Sequence, residues 1–255
     1  MMSRSIIGGF PPPNKRERPF GIGCAGWRKR CAAGNGEKGN DRMSSVGHNS
    51  DKAHPPLRMN PARSLRPSYC LDSDAKNIRE KAARLTAPHR HDRDQARRLF
   101  EYVRDEIPYN FAPEVRDRSH FKASHALEAG NGFCMQKAAL YAALCRASGI
   151  PARIGFQDLE DYMIVGKFFE LLGTNELMHH GMNAVYLDGR WIRVDCTLDC
   201  ALSERKHYRL VEFDGRHDAL LPATDRLGQP HFFIRKQSGF YNDTPQFAMR
   251  SMLEW

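Results

Sequence analysis

The 255-residue sequence has no apolar run long enough to cross a membrane, and residues 1–9 lack the apolar core of a signal peptide. Its seven cysteines are an odd number, so they cannot all pair within the chain. No Cys-x-x-Cys pair is present, and Cys196 and Cys200 have no matching second pair, so we do not expect a zinc site. These absences favour a cytoplasmic protein with free thiols and no cofactor.

The sequence also lacks a recognisable nucleic-acid-binding motif and an Asp-rich calcium loop. The formal net charge is +9, which permits contact with acidic partners. Lys and Arg are nevertheless scattered beside Asp and Glu, as they are on a solvated surface. We therefore expect neither a nucleic-acid nor a membrane partner, and the sequence does not indicate an oligomeric state.

The N-terminal part of the chain shows no apolar periodicity. Residues 1–68 contain a Pro-Pro-Pro run at 11–13, a basic run at 28–30 and a Pro-Pro pair at 55–56. This composition is typical of a disordered basic tail, with a basic docking arm as the alternative. We predict that order begins near Tyr69 and that residues 69–255 form one domain.

Apolar periodicity and end signals predict the other elements. Three helices are expected before residue 130, at residues 75–85, 92–107 and 123–128, and Asp72 or Asp74 is the expected cap of the first. Strands are expected at residues 152–156, 210–215 and 231–235. Residues 159–176 form a predicted insertion with a short helix near residues 167–172, and the C-terminal residues form an amphipathic segment.

The most informative stretch begins at the turn Asn131-Gly132 and continues as a predicted helix over residues 134–147. Cys134 is the first residue of this helix, and Gly149 ends it. A thiol in this position meets unpaired backbone N–H groups and the positive end of the helix dipole, which favour the thiolate and can stabilise an oxyanion. The alternative is that Cys134 is a buried cysteine that packs in the core as a small apolar side chain.

Residues near this cysteine are assigned ordinary structural roles. Cys145 falls on the apolar face of the same helix and is predicted to lie in the core. Lys137 and Arg146 are predicted to be charges on the helix surface. Tyr109 follows the helix-ending Pro108 and is assigned to a loop.

A hairpin is predicted where Asp188-Gly189 separates two runs of alternating polarity. His180 lies eight residues before this turn and Asp195 six residues after it, so both are near the open end. A histidine and a carboxylate can therefore be neighbours across two strands. His179 is the alternative histidine, but His180 has the preferred spacing to Trp191.

These positions match the arrangement of a Cys-His-Asp triad, with a cysteine at a helix start, a histidine on a strand and an aspartate on the paired strand. The runs Gly-Phe-Cys-Met-Gln-Lys-Ala-Ala-Leu, Gly-Ile-Pro-Ala-Arg, His-Gly and Val-Asp-Cys-Thr resemble those of the transglutaminase-like superfamily, in particular its bacterial transglutaminase-like domain proteins. The resemblance covers about residues 92–245. It implies a papain-like α+β core, with N-terminal helices packed on an antiparallel β-sheet. It also places the family's nucleophile, histidine and acidic residue on Cys134, His180 and Asp195.

Two positions depart from the pattern of the family. Gly181-Met182 stands where many members have Ala-Trp, and this change alters the expected wall of the pocket. Cys196 stands where many members have Pro, and this change affects the exit of the strand.

The sequence thus predicts an enzyme in which Cys134 attacks the carbonyl carbon of a peptide or protein amide and forms a thioester. Water then gives hydrolysis, as in a cysteine protease, and an amine gives transamidation. Hydrolysis is favoured because no calcium loop is found. The alternative is a non-catalytic module that binds a peptide in the same groove. The departure from the family pattern at Gly181-Met182 is the reason for considering it.

Overall fold

The structure of the protein is a computed structural model, and it describes residues 59–166, 169–170 and 173–253. Most of the predicted tail and most of the predicted helix near residues 167–172 lie outside the described residues. Residues 59–68 were also assigned to the tail, but a short 3-10 helix, Pro61–Leu65, packs here, and its buried Ser64 hydroxyl bonds Asn242 at 3.2 Å. The packed region therefore begins at least ten residues before the predicted start at Tyr69.

Within the described residues, four α-helices precede the sheet in the chain: α1 Lys76–Thr86, α2 Asp92–Glu106, α3 Ala123–Ala129 and α4 Cys134–Ala147. Their positions agree with the sequence prediction to within one residue at each end. In α2, Asp92 and Asp94 occupy the first turn, where carboxylates are favourable. The apolar stripe of α2 is buried, and its members are Ala96, Leu99, Phe100 and Val103.

The predicted cap of α1 is wrong. The residue that precedes the helix is Ala75, and no side chain caps the helix there. Asp72 instead accepts hydrogen bonds from the backbone N–H and the hydroxyl of Ser124, at 3.0 and 2.5 Å. Its carboxylate therefore ties the entry of α1 to the start of α3, a contact that no local pattern could reveal.

Helix α4 is the central helix of the domain, since every residue from Cys134 to Arg146 is buried. Cys145 lies in the core as predicted, but the predicted surface positions of Lys137 and Arg146 are wrong. The Lys137 ammonium donates to the carbonyl oxygens of Arg104 and Ile107, at 3.1 and 2.5 Å. The helix is covered by other helices on one side and by the sheet on the other, so charged residues enter the core with backbone partners.

One antiparallel sheet of four strands, ordered β3-β2-β1-β4, completes the fold. The strands are β1 Ala152–Asp161, β2 Glu176–Leu187, β3 Arg190–Val194 and β4 Phe232–Tyr241. Asp188 and Gly189 form the predicted hairpin turn with positive φ angles of 49° and 80°. Helix α4 packs on β1 and β2, where the Asn183 amide donates to the Ala138 carbonyl at 2.9 Å. This arrangement confirms the predicted α+β fold.

The remaining strand predictions need correction. Strand β1 continues to Asp161, so the insertion begins later than predicted. Residues 210–215 form no strand, because they run beside α2, where the buried guanidinium of Arg104 binds the Val211 carbonyl. Strand β4 is longer than predicted and includes Gly239.

Two short helices follow β3 in the chain, α5 Cys200–Lys206 before β4 and α6 Gln246–Leu253 after it. The second of these is the predicted amphipathic segment, and it buries Ala248 and Met249. Among the described residues, no helix has both the length and the apolar character needed to span a membrane.

Candidate active site

The first turn of α4 is fixed by the segments that precede it. Gln136 accepts a hydrogen bond from the Phe133 backbone N–H at 3.3 Å and donates to the His120 carbonyl at 2.8 Å. The first backbone bond of α4 runs from the Lys137 N–H to the Phe133 carbonyl. The backbone N–H groups of Cys134 and Met135 therefore lie at the open positive end of the helix.

Cys134 differs from the other cysteines of the core in its exposure. It retains 8% of its accessible surface, whereas Cys70, Cys145 and Cys196 retain none. Burial raises the pKa of Cys70 and of Cys145 to about 12, so both remain thiols near neutral pH. Among these four residues, Cys134 alone combines a helix start with an opening to solvent.

His180 and Asp195 are brought together at the open end of the hairpin. The ring Nε2 of His180 lies 2.7 Å from the Asp195 carboxylate oxygen Oδ2. The second oxygen of Asp195 accepts hydrogen bonds from the Thr197 backbone N–H at 3.1 Å and from its hydroxyl at 2.5 Å. A carboxylate only accepts, so Nε2 carries a hydrogen and Nδ1 is the nitrogen left for another partner.

The residue after His180 packs directly on the first turn of α4. A Cβ atom on Gly181 would lie 2.9 Å from the Met135 Cα and 3.0 Å from the carbonyl carbon and oxygen of Cys134. These are backbone atoms that cannot move independently of the helix. The departure from the family pattern at this position thus has a packing reason: strand β2 and helix α4 approach too closely for a side chain.

The surroundings of His180 favour its charged form. Burial by itself would lower the pKa of His180, but the charge and hydrogen bond of Asp195, together with hydrogen bonding to Cys134, raise it to about 10. The imidazolium is therefore the stable form at neutral pH. An imidazolium beside a cysteine at the positive end of a helix is the arrangement of a thiolate–imidazolium pair.

Tyr109 lies at the site, although its sequence context predicted only a loop residue. Its backbone N–H bonds the Asp199 carboxylate at 2.9 Å, and its backbone pairs with Gly132, two residues before Cys134. Burial raises the pKa of its hydroxyl well above the ordinary value, and the neighbouring Cys134 raises it further. The hydroxyl thus keeps its proton and can donate to a negative group at Cys134. The sequence signal that could have placed Tyr109 at the site was its position directly after Pro108, which ends the preceding helix.

His179, the alternative histidine, and two other residues named in the sequence analysis have structural contacts. The backbone N–H of His179 bonds Asp158, and the His179 ring packs against Phe247, with ring centres 5.0 Å apart. The Trp191 indole N–H donates to the Met59 carbonyl at 3.2 Å, consistent with packing of the hairpin. The Cys196 thiol lies in the core 3.9 Å from the Asn183 side-chain oxygen.

No group of three or more His, Cys, Asp or Glu residues in the described part of the chain is arranged to hold a metal ion.

Solved structures similar to this chain share only part of their length with it. A candidate cysteine protease from Cytophaga hutchinsonii is 16% identical, with a TM-score of 0.44 over 72% of this chain and 55% of that one. A candidate protease from Parabacteroides distasonis is 13% identical, with a TM-score of 0.35 over 54% of this chain and 26% of that one. The periplasmic domain of TgpA from Pseudomonas aeruginosa is 23% identical, with a TM-score of 0.40 over 57% of this chain and 51% of that one.

The comparison with protein families identifies the region that contains the site. No curated protein matches the chain. Residues 79–196, which include Cys134, His180 and Asp195, match the sequence profile of the transglutaminase-like superfamily. By this match the part of the chain that contains the site is similar to the transglutaminase-like superfamily.

Proposed function

We propose that the chain is a cysteine-dependent enzyme that transfers the acyl group of a peptide or protein amide. Cys134 is the nucleophile, His180 is the acid and base, and Asp195 orients and charges the imidazole. The observation that carries the proposal is the environment of His180, which has Asp195 2.7 Å from Nε2 and a pKa raised to about 10 by Asp195 and Cys134.

The proposed reaction has two halves. The Cys134 thiolate attacks the carbonyl carbon of the amide, a C–S bond forms, and the carbonyl oxygen becomes an oxyanion. Backbone N–H groups of the first turn of α4 and the Tyr109 hydroxyl are the donors available to that oxygen. The His180 imidazolium gives its proton to the leaving nitrogen, the C–N bond breaks, and a thioester and a neutral imidazole remain.

In the second half the acceptor attacks the thioester. His180 removes a proton from water or from an amine as it attacks, the C–S bond breaks, and Cys134 leaves as the thiolate beside the restored imidazolium. Water gives a carboxylic acid and an amine gives a new amide. We favour hydrolysis, as in a cysteine protease, because the sequence contains no calcium loop.

The alternative, a non-catalytic module that binds a peptide in the same groove, was motivated by Gly181-Met182. The close contact between Gly181 and α4 supplies a packing reason for the glycine, so the glycine no longer argues against catalysis. No contact of the described residues specifically favours the module, and we retain the enzyme as the proposed function.

Alkylation with iodoacetamide at pH 5 to 10, read at each cysteine by mass spectrometry, tests the proposal. Cys200 is more exposed than Cys134 and provides an internal reference in the same molecule. We expect Cys134 to react faster than Cys200 near pH 6, and His180→Ala to abolish this advantage. Slower reaction of Cys134 than of Cys200 at every pH, unchanged in His180→Ala, would falsify the proposal.

Acyl transfer itself is measured with an activated ester of a short peptide. Wild-type protein should form a covalent acyl adduct on Cys134, and Cys134→Ala should form none. Adding a primary amine then distinguishes the two outcomes, because transamidation yields the peptide amide and hydrolysis yields the free acid. A reactive thiol that never accepts an acyl group would count for the binding module.

A further inference from the structure

The strand that carries His180 is irregular immediately before it. Strands β1 and β2 pair in regular register as far as Gln157 opposite His180, and the pairing resumes with Leu159 opposite Leu177. Between these pairs β1 contributes one residue, Asp158, whereas β2 contributes two, Met178 and His179. This two-against-one arrangement is a β-bulge, and bulges redirect the side chains that follow them.

The backbone of the bulge is in an unfavourable conformation. His179 has φ of 57°, in the left-handed region that only a few per cent of non-glycine residues occupy, although His is found there more often than most. Two other non-glycine residues of the described chain have positive φ, and both have an ordinary reason: Asp188 is in the hairpin turn, and His207 ends α5. His179 lies inside a strand, so a specific contact has to hold it there.

That contact is the carboxylate of Asp158. Its oxygen Oδ1 accepts the backbone N–H of His179 at 2.9 Å and lies 3.5 Å from the ring Nδ1 of the same residue. Asp158 is 8% exposed, and Nδ1 of His179 is buried with no hydrogen-bond partner. The ring also packs against Phe247 of α6. A single carboxylate therefore holds the backbone of the bulged residue and lies beside its ring.

The position of His180 depends on this bulge. Side chains of a strand alternate between its two faces, so a change of one residue in register turns each following side chain to the opposite face. Loss of the bulge would force either His180 or the preceding residues out of register with β1. His180 could not then keep Nε2 at 2.7 Å from Asp195 while its other nitrogen faces the thiol.

We propose that Asp158 is a positioning residue for the reaction, and that it acts by holding the His179 bulge that presents His180 to Cys134 and Asp195. The inference rests on the proposed function, because it assigns His180 the role described there. His179 then has a structural role as the bulged residue of β2, and this role is separate from proton transfer.

The test uses variants that change the backbone preference or the acceptor. His179→Val opposes positive φ, whereas His179→Gly permits it without a side chain. Asp158→Ala removes the acceptor, whereas Asp158→Asn keeps an oxygen that can accept the His179 N–H. Asp188→Val is the matched control, since it imposes the same backbone conflict at the hairpin end of β2, away from the site.

The readout is the pH profile of Cys134 alkylation in the full chain, together with the thermal midpoint of unfolding. We expect Asp158→Ala and His179→Val to lower the rate near pH 6 by about 10- to 100-fold and to move the midpoint of the profile to higher pH. Asp158→Asn and His179→Gly should stay close to wild type in both respects. Asp188→Val should lower the unfolding temperature and leave the profile unchanged.

The outcomes separate this inference from the proposed function. If wild-type Cys134 shows no advantage over Cys200, the proposed function fails first. If wild type shows the advantage and folded Asp158→Ala retains the full wild-type profile, the positioning role is overturned while the proposed function stands. If Asp158→Ala does not fold, the comparison of His179→Gly with His179→Val decides, and equal profiles for that pair overturn the inference.

Discussion

Replacing Asp195 with Asn keeps the shape of the partner of His180 and removes its charge. Asp195 is the main reason that the pKa of His180 rises to about 10 in spite of burial, compared with the ordinary value of 6.5. At about 1.4 kcal/mol per pH unit, this difference of about 3.5 units corresponds to about 5 kcal/mol in favour of the imidazolium. Without the carboxylate, burial opposes the charged ring and only Cys134 still supports it, so the pKa of His180 falls well below about 10.

The consequence appears in the reactivity of the thiol. In Asp195→Asn the imidazolium no longer stabilises a thiolate at low pH, so we expect alkylation of Cys134 at pH 6 to fall about 100-fold or more. The midpoint of its pH profile should move towards about 8.5, the value of an ordinary cysteine. An imidazole NMR titration of His180 in both proteins gives the underlying change directly.

The same substitution changes the pH dependence of stability. A histidine whose pKa is higher in the folded state than in the unfolded state stabilises the fold below the unfolded pKa, and this contribution is lost as the pH rises through the folded pKa. In the wild type the contribution of His180 is therefore complete below about pH 6.5 and lost as the pH approaches about 10. Urea unfolding at pH 6, 8 and 10 should show this loss in the wild type and much less of it in Asp195→Asn. A variant with the alkylation profile and stability slope of the wild type would refute the reasoning.

Three further substitutions test individual contacts. Gly181→Ala places a methyl group against the backbone of Cys134, so we expect a loss of about 1–3 kcal/mol in urea unfolding together with slower alkylation, and an unchanged protein would contradict the packing account. Tyr109→Phe removes a donor to a negative sulfur, so the midpoint of the alkylation profile should rise by about one pH unit, whereas no change would remove Tyr109 from the site. Burial lowers the pKa of Lys137 to about 8, so the unfolded chain binds more protons at this residue and its effect on stability becomes more favourable from about pH 8 to about 10.4. Lys137→Met should abolish that rise in urea unfolding at pH 8 to 10.5, and a slope equal to that of the wild type would show that the ammonium is not desolvated.

Local sequence signals predicted the bounds of α4 well because each end of the helix is set by adjacent residues. The Asn131-Gly132 turn precedes Cys134, and Gly149 adopts φ of 81° just after the end of the helix. The hairpin at Asp188-Gly189 is likewise defined by its own two residues. Features of this kind need no information from distant parts of the chain.

The bulge before His180 could not be predicted in the same way. Nothing in the run Met178-His179-His180 distinguishes a bulged strand from a regular one, because the cause is Asp158 on the neighbouring strand. Residues 210–215 were wrongly predicted to be a strand: their alternation is typical of one, but in the described part of the chain they join no sheet and pack beside α2. Both errors arise because strand geometry is decided between segments.

Buried polar side chains set the relative positions of the elements that form the site, and apolar periodicity in the sequence does not reveal these contacts. The Lys137 ammonium joins the start of α4 to the Ile107 carbonyl at the end of α2, and the Asn183 amide joins β2 to the Ala138 carbonyl of α4. Each group is fully buried and loses its hydration, so it is tolerated only where its hydrogen bonds are made. Apolar contacts would tolerate small shifts between these elements, whereas a buried donor left without its acceptor would be costly. These contacts therefore fix the relative positions of the helix that begins with Cys134 and the strand that carries His180, which is the condition that proton transfer between them requires.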